Sequence, residues 1–264
     1  MKTNLLIVSR HNPRFKALYH LARNQQGKQS LLEGAHLVSE YLLRIGLPQI
    51  LVVSKSGLLQ PEIQELVQKT QGAEVLELSD GLFNSLSQLK TPTGIMAVIN
   101  VPDTPINDLV KGDLVLLDAI QDAGNLGSIL RTSAAAGIKR VIVGPGCANP
   151  WSPRVLRAAQ GAHFFLQILT SKNLIRDLEA IQQRESQKRL SIATVANGGE
   201  DLYRLDLKKH LIWIFGNEGQ GVAQELRQTS DHLASIPQAV SESLNVASAA
   251  AICLFEARRQ KGLN

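Results

Sequence analysis

The chain has 264 residues, enough for one large or two modest domains, and its 44% apolar and 19% charged residues are ordinary for a soluble globular protein. Two distant cysteines, Cys147 and Cys253, with no CxxC or Cys/His cluster, give no metal site and suit a reducing cytosol. The net charge of +5 favours a polyanionic partner weakly, no apolar run approaches a membrane span, and the stretch 5–8 is too short for a signal sequence, so a cytoplasmic protein with no membrane and no metal is expected.

The first hundred residues alternate between helices and strands. Pro13 opens a helix over 13–25, with Phe15, Leu18, Leu21 and Ala22 at helical spacing. Short strands are expected at 31–32, 50–53, 75–78 and 95–98, and helices at 36–45, 61–70 and 81–86. This is a small α/β unit over 1–100. The stretch 101–111, with two prolines and two Asp residues, reads as a linker to a second domain over 112–264.

In that second domain, apolar strands at 114–117, 141–143, 164–168, 191–195, 211–215 and 233–236 alternate with helices at 125–136, 152–160, 173–184, 221–229 and 243–260. Such alternation means a parallel sheet covered on both faces. Ligands of these sheets sit in the loops beyond the carboxyl ends of the strands.

Charge is unevenly spread. Residues 1–32 hold Lys2, Arg10, Arg14, Lys16, Arg23 and Lys28, with no Asp or Glu, and Asn12 adds a polar donor. A segment this one-sided is a candidate phosphate footprint; a solvated helix face that happens to be basic reads equally well from charge alone.

Three strand ends carry the informative residues. In the first, Asn125 stands where a helix starts and Arg131 follows along it, among small residues that would hold the guanidinium. The plainer reading is a capping Asn followed by a surface Arg. The second is Gly216-Asn217-Glu218-Gly219-Gln220-Gly221, a glycine turn after a buried strand. Its order is G-x-x-G-x-G, not the dinucleotide fingerprint, and it follows the wrong strand for one. The third is Ile236-Pro237 followed by Ser243-Leu244-Asn245 and an Ala-rich helix, apolar on nearly all faces and so expected to be buried. Ser241 or Ser243 is placed to cap that helix.

Together and in this order, the three segments resemble the motifs of the SpoU/TrmH family of RNA ribose 2′-O-methyltransferases, in the SPOUT superfamily. The flanking Thr91-Pro92-Thr93-Gly94 and Ser152-Pro153-Arg154 agree, and Ser9-Arg10-His11-Asn12-Pro13-Arg14 with Leu32-Glu33-Gly34 is similar to the substrate-binding domain of rRNA-directed members. The chain departs in a 236–243 loop one residue shorter than usual, and in Ala159-Gln160 where many members have a Ser.

The resemblance implies a parallel-sheet SPOUT domain with a C-terminal trefoil knot, preceded by a small α/β RNA-binding domain. It implies S-adenosylmethionine held by Ala196, Gly216, Ile236 and Leu244, and a homodimer with the last helix near the interface. Asn125, Arg131, Glu218, Ser243 and Asn245 become the catalytic set, and Arg10, Asn12, Arg14, Lys16 and Arg23 the RNA contacts. Because a guanidinium is essentially never deprotonated, Arg131 is read as a phosphate clamp and a donor to the developing alkoxide. Asn125 is expected to hold the loop and Arg131, Glu218 to orient Arg131 or a neighbouring loop, and Ser243 and Asn245 to bond the hydroxyl or shape the cofactor turn. Large-subunit rRNA is the expected substrate. A tRNA methyltransferase, or a non-catalytic RNA-binding or ribosome-associated protein of the same fold, is the alternative.

Overall fold

A computed structural model of the chain describes residues 5–23, 27–102, 112–184, 189–239 and 243–262. Most of the expected linker, residues 103–111, and the expected capping residue Ser241 lie outside these. Two compact units form: Met1–Pro102 with Trp151–Phe164, and Asp103–Pro150 with Phe165–Asn264.

The first unit runs β1 (Leu5–Ile7), α1 (Pro13–Arg23), β2 (Gln29–Glu33), α2 (Ala35–Arg44), β3 (Ile50–Ser54), α3 (Pro61–Lys69), β4 (Glu74–Leu78), α4 (Asp80–Leu86) and β5 (Ile95–Asn100). Its sheet has the order β1-β4-β3-β5-β2. β1, β4 and β3 are parallel, and β5 is antiparallel to both β3 and β2. Val52, Leu76, Leu78, Met96 and Val98 on one sheet face meet Phe15 and Leu18 of α1 and Leu82, Phe83 and Leu86 of α4 in one buried core. β1 escapes sequence reading because three apolar residues show no period.

The second unit contains β6 (Leu114–Leu117), α5 (Ala123–Ala135) and β7 (Arg140–Val143). The next helix, α6 (Pro153–Ala159), packs instead on β2 of the first unit. Alternation alone assigned it to the second sheet. The unit resumes with β8 (Gln167–Thr170), α7 (Leu174–Arg184), β9 (Leu190–Thr194), β10 (Glu200–Asp201), β11 (Leu211–Phe215), α8 (Gln224–Thr229), β12 (His232–Ser235) and α9 (Val246–Gln260).

Its seven strands are all parallel, in the order β10-β12-β9-β11-β6-β7-β8. β6, β7 and β11 are buried along their whole length, as a sheet covered on both faces requires. Leu114, Leu116, Ile142, Ile212 and Ile214 pack with Leu174, Leu178 and Ile181 of α7 and Leu226 of α8. The alternate residues, such as Val115, Trp213 and Phe215, are fully buried on the other face. α5 packs against α9. In this single chain α9 is only half covered: Ala250, Cys253, Leu254 and Ala257 are buried, while Phe255 is 46% exposed. The expectation of a helix buried all round therefore does not hold within this chain.

Candidate active site

The site grows from loops at the carboxyl ends of β6, β11 and β12. β6 runs out at Leu117, and Ala119 then takes a left-handed conformation with φ 54°. This reverses the chain toward α5, whose N-cap is Asp122, its carboxylate accepting from the Asn125 N–H at 2.7 Å. Asn125 thus stands in the first turn of the helix, not at its cap, and its side-chain amide is left to act elsewhere.

β11 ends in a tight turn. Asn217 and Gly221 exchange two backbone hydrogen bonds of 3.0 and 2.9 Å. A Cβ on Gly216 would lie 2.2 Å from Gly221 and Val222 backbone, so no side chain fits there. Gly221 has φ 72°. The Asn217 side chain secures the turn: its Oδ1 accepts from Gly219 and Gln220 N–H, and its Nδ2 donates to the Ala119 carbonyl at 2.9 Å. It joins the β11 turn to the β6 loop, a role the sequence reading missed. An Asn inside a glycine turn was its one available signal.

That turn delivers Glu218 to the start of α5. Its carboxylate accepts from the N–H groups of Gln121 and Asp122 and from Asn125 Nδ2 at 3.0 Å. Partial burial pushes its pKa up, but the Asn125 donor and the backbone N–H groups outweigh this, and the net shift is downward. Glu218 is therefore an ionised acceptor at neutral pH.

The third segment closes the set. Asn245 caps α9, its Oδ1 accepting from Ala247 and Ser248 N–H at 2.9 and 3.3 Å. The helix therefore begins at Val246, capped by Asn245 where Ser243 or Ser241 was expected. The remaining amide nitrogen of Asn245 donates to Asn125 Oδ1 at 2.9 Å. Glu218, Asn125 and Asn245, drawn from three distant stretches, form one continuous relay.

Beside the relay lies a cleft of about 470 Å³. Ala196, Gly216, Ile236 and Leu244 all line it, as do Glu218, Ser243 and Asn245. Asn125 and Arg131 stand outside its lining. Arg131 lies on an exposed part of α5, about 9 Å further along the axis than Asn125. Among the described residues its side chain makes no hydrogen bond or ion pair. Glu218 and Asn125 bond the loop before α5, the other role expected of them, and make no bond to Arg131. Gln238, not singled out in the sequence, also lines the cleft, and its buried Oε1 has no partner among the described residues.

Burial pushes the thiols of Cys147 and Cys253 up to about 11 and about 12, so neither is a thiolate nucleophile at neutral pH. No three His, Cys, Asp or Glu residues among those described converge as a metal site.

The RNA residues expected near the N-terminus separate. Arg10, Lys16 and Arg23 line a common concavity on the first unit. Arg14 instead pairs with Glu74, and Asn12 accepts from the Arg14 N–H to shape the start of α1.

Comparison with known proteins accounts for both units. Residues 113–255 match the SpoU rRNA Methylase family, and residues 12–97 match the MRM3-like substrate binding domain. An uncharacterized tRNA/rRNA methyltransferase of Synechocystis is 33% identical over 97% of this chain and 94% of its own length. The 23S rRNA (guanosine(2553)-2′-O)-methyltransferase RlmP of Bacillus subtilis is 30% identical over 92% and 94%. Among solved structures, the AdoMet-bound rRNA methyltransferase of Sinorhizobium meliloti aligns with a TM-score of 0.83 at 30% identity, covering 96% of this chain and 97% of that one. The methyltransferase AviRb of Streptomyces viridochromogenes, with AdoMet, aligns at 0.83 and 26% identity over 96% and 100%.

Proposed function

The chain belongs to the SpoU rRNA Methylase family, and on that premise we propose that it transfers a methyl group from S-adenosylmethionine to a ribose 2′-hydroxyl of ribosomal RNA, with large-subunit rRNA as the substrate. The observation that carries the reading is the cleft itself. All four residues expected to hold the cofactor line it, and the Glu218–Asn125–Asn245 relay braces its rim.

The lining fits S-adenosylmethionine. Gln238 Oε1 is a buried acceptor without a partner among the described residues, suited to an N–H donor such as the cofactor's ammonium or adenine amino group. Gly216 keeps the β11 turn tight enough to leave backbone at the cleft wall. When bound, the cofactor supplies an electrophilic methyl carbon on a sulfonium.

The protein's part is alignment and control of one proton. Holding the hydroxyl in line with the methyl group contributes several kcal/mol. Ser243 and Asn245, which line the cleft, are assigned to bond that hydroxyl, Asn245 through its second Nδ2 hydrogen. Glu218 and Asn125 act through Asn245 as positioning residues: the carboxylate fixes the Asn125 amide, and that amide fixes Asn245. Glu218 is a poor base because its donors hold its pKa low. Arg131 clamps the target phosphate with its cationic guanidinium and donates to the developing alkoxide, while the 2′-hydroxyl proton passes to a phosphate oxygen or a water.

This role needs Arg131 at a cleft whose lining, within its own chain, does not include it. In this reading a homodimer supplies the geometry. α9 leaves Phe255 and part of Ile252 uncovered beside α5, the helix carrying Arg131, and a second copy packed there would bring each guanidinium toward the other subunit's cleft. The C-terminal segments threading as a trefoil knot, the first 100 residues serving as the RNA-binding domain, and a cytoplasmic location belong to the same reading.

Two measurements test the proposal. Ribose-methylation mapping of rRNA from cells with and without the protein should show one modification lost. Calorimetry should show S-adenosylmethionine binding that Gln238→Leu weakens. An unchanged methylation map in both large- and small-subunit rRNA would overturn the substrate assignment.

A further inference from the structure

The concavity on the first unit has a chemistry that the methyl-transfer reading leaves unused. It measures about 450 Å³, within the roughly 300–1,000 Å³ of small-ligand sites. Arg10, Lys16, Tyr19, Arg23 and Asn84 line it, and no carboxylate does. The side chains of Arg10, Lys16 and Asn84 make no hydrogen bond or ion pair among the described residues. Arg14, four positions from Arg10, shows the contrast, since Glu74 neutralises it.

The aromatic element sets this pocket apart from a plain basic patch. Phe15, Tyr19 and Arg23 recur every four residues on one face of α1. The Phe15 and Tyr19 rings lie 6.1 Å apart, and the Arg23 guanidinium sits 5.1 Å from the Tyr19 centroid. Arg23 also donates to the Ser85 carbonyl, which keeps the guanidinium over the ring. Tyr19 is nevertheless 41% exposed. An exposed ring topped by a planar cation is a stacking platform.

We propose that this pocket binds one unpaired nucleotide of the RNA substrate, its base stacked on the Tyr19–Arg23 tier, its flanking phosphates on Arg10 and Lys16, and its base edge on Asn84. The inference rests on the RNA-directed reading above and specifies which part of the RNA the first unit grips. A paired base buries both faces in its own helix and offers none to Tyr19, so the platform selects single-stranded or bulged segments. Two cations in the same concavity as the aromatic tier match the phosphates that flank a single base.

The test is anisotropy of the full-length protein with a short labelled single-stranded RNA, the same sequence as a duplex, and adenosine monophosphate as competitor. The single strand should bind more tightly than the duplex, and the mononucleotide should compete poorly. Tyr19→Ala should weaken single-strand binding about tenfold with its salt slope unchanged, and Tyr19→Phe should retain it. Arg10→Gln and Lys16→Gln should each reduce the slope by about 0.7. Equal binding by Tyr19→Ala, preference for the duplex, or a mononucleotide that binds as tightly as the strand would each overturn the proposal. These assays read binding alone. A protein that grips the strand through Tyr19 yet transfers no methyl group overturns the proposed activity and leaves the pocket standing. Methyl transfer with an indifferent Tyr19 does the reverse.

Discussion

Asn245 Nδ2 donates to Asn125 Oδ1 at 2.9 Å, joining the first turn of α5 to the cap of α9 across 120 positions of sequence. Each amide is engaged on its other side as well, Asn125 to Glu218 and Asn245 to the first N–H groups of α9. The pair therefore transmits position from the β11 turn to the cleft wall.

Removal of either asparagine should leave the other with an unmet partner. Asn245→Ala should cost about 0.5–2 kcal/mol through the lost cap alone. The double-mutant cycle of Asn125→Ala and Asn245→Ala should show a coupling of about 0.5–1.5 kcal/mol in urea unfolding. Strict additivity would mean that the hydrogen bond contributes nothing.

Glu218 leads to a pH prediction. Its folded pKa lies below the ordinary glutamate value of 4.5, because the donors on its carboxylate outweigh burial. The unfolded state therefore takes up its proton first as pH falls, and the stability Glu218 confers is complete above 4.5 and lost as pH drops through the folded pKa. Glu218→Gln should be destabilised at neutral pH, with the gap to wild type closing in acid. A gap that stays constant from neutral pH to strong acid would show that the charge is not what the α5 N-terminus uses.

Ala119 holds a backbone conformation that disfavours a Cβ, at a cost of about 1–2 kcal/mol. Its carbonyl is pinned by Asn217 Nδ2, and the turn it makes sets the start of α5. Ala119→Gly should relieve that strain, less the extra freedom glycine brings to the unfolded chain, for a net gain of about 0.5–1 kcal/mol. Thermal unfolding checks it. A lower melting temperature would mean that the surrounding contacts, not the strain, decide the energy.

Much of this was legible in the sequence, and the limits are physical. The runs at 114–117 and 211–215 announced central strands because burial on both faces demands unbroken apolar residues. Ala196, Gly216, Ile236 and Leu244, which the family resemblance implied as cofactor contacts, meet at one cleft because parallel strands place their following loops on one edge. Partner choice was not legible. That α6 packs on β2 depends on contacts between segments more than a hundred residues apart, which periodicity does not encode. Asn245 and Ser243 are both good caps by type, and only the fold shows that Asn245 accepts from Ala247 and Ser248. Arg131 was expected to be held by small neighbours, but Ser128 and Ala135, one turn away on the same face of α5, are themselves exposed and give the long side chain no wall to pack on.

That exposed guanidinium gives the decisive experiment on the proposed dimer. Arg131→Ala should bind S-adenosylmethionine nearly as wild type does, since Arg131 is no part of the cleft lining, and should lose turnover by orders of magnitude. Asn245→Ala should also be impaired, because it removes a residue of the cleft wall. If each site takes Asn245 from one subunit and Arg131 from the other, refolding the two variants together should restore activity. Mixed dimers would make up half the population with one complete site each, so recovery should reach roughly a quarter of wild-type turnover. If both residues act within one subunit, every site in the mixture lacks one of them and no activity returns. Phe255→Glu separates the remaining case: it should convert the dimer to monomers in light scattering and abolish turnover together, whereas an active monomer would show that Arg131 reaches its own cleft after all.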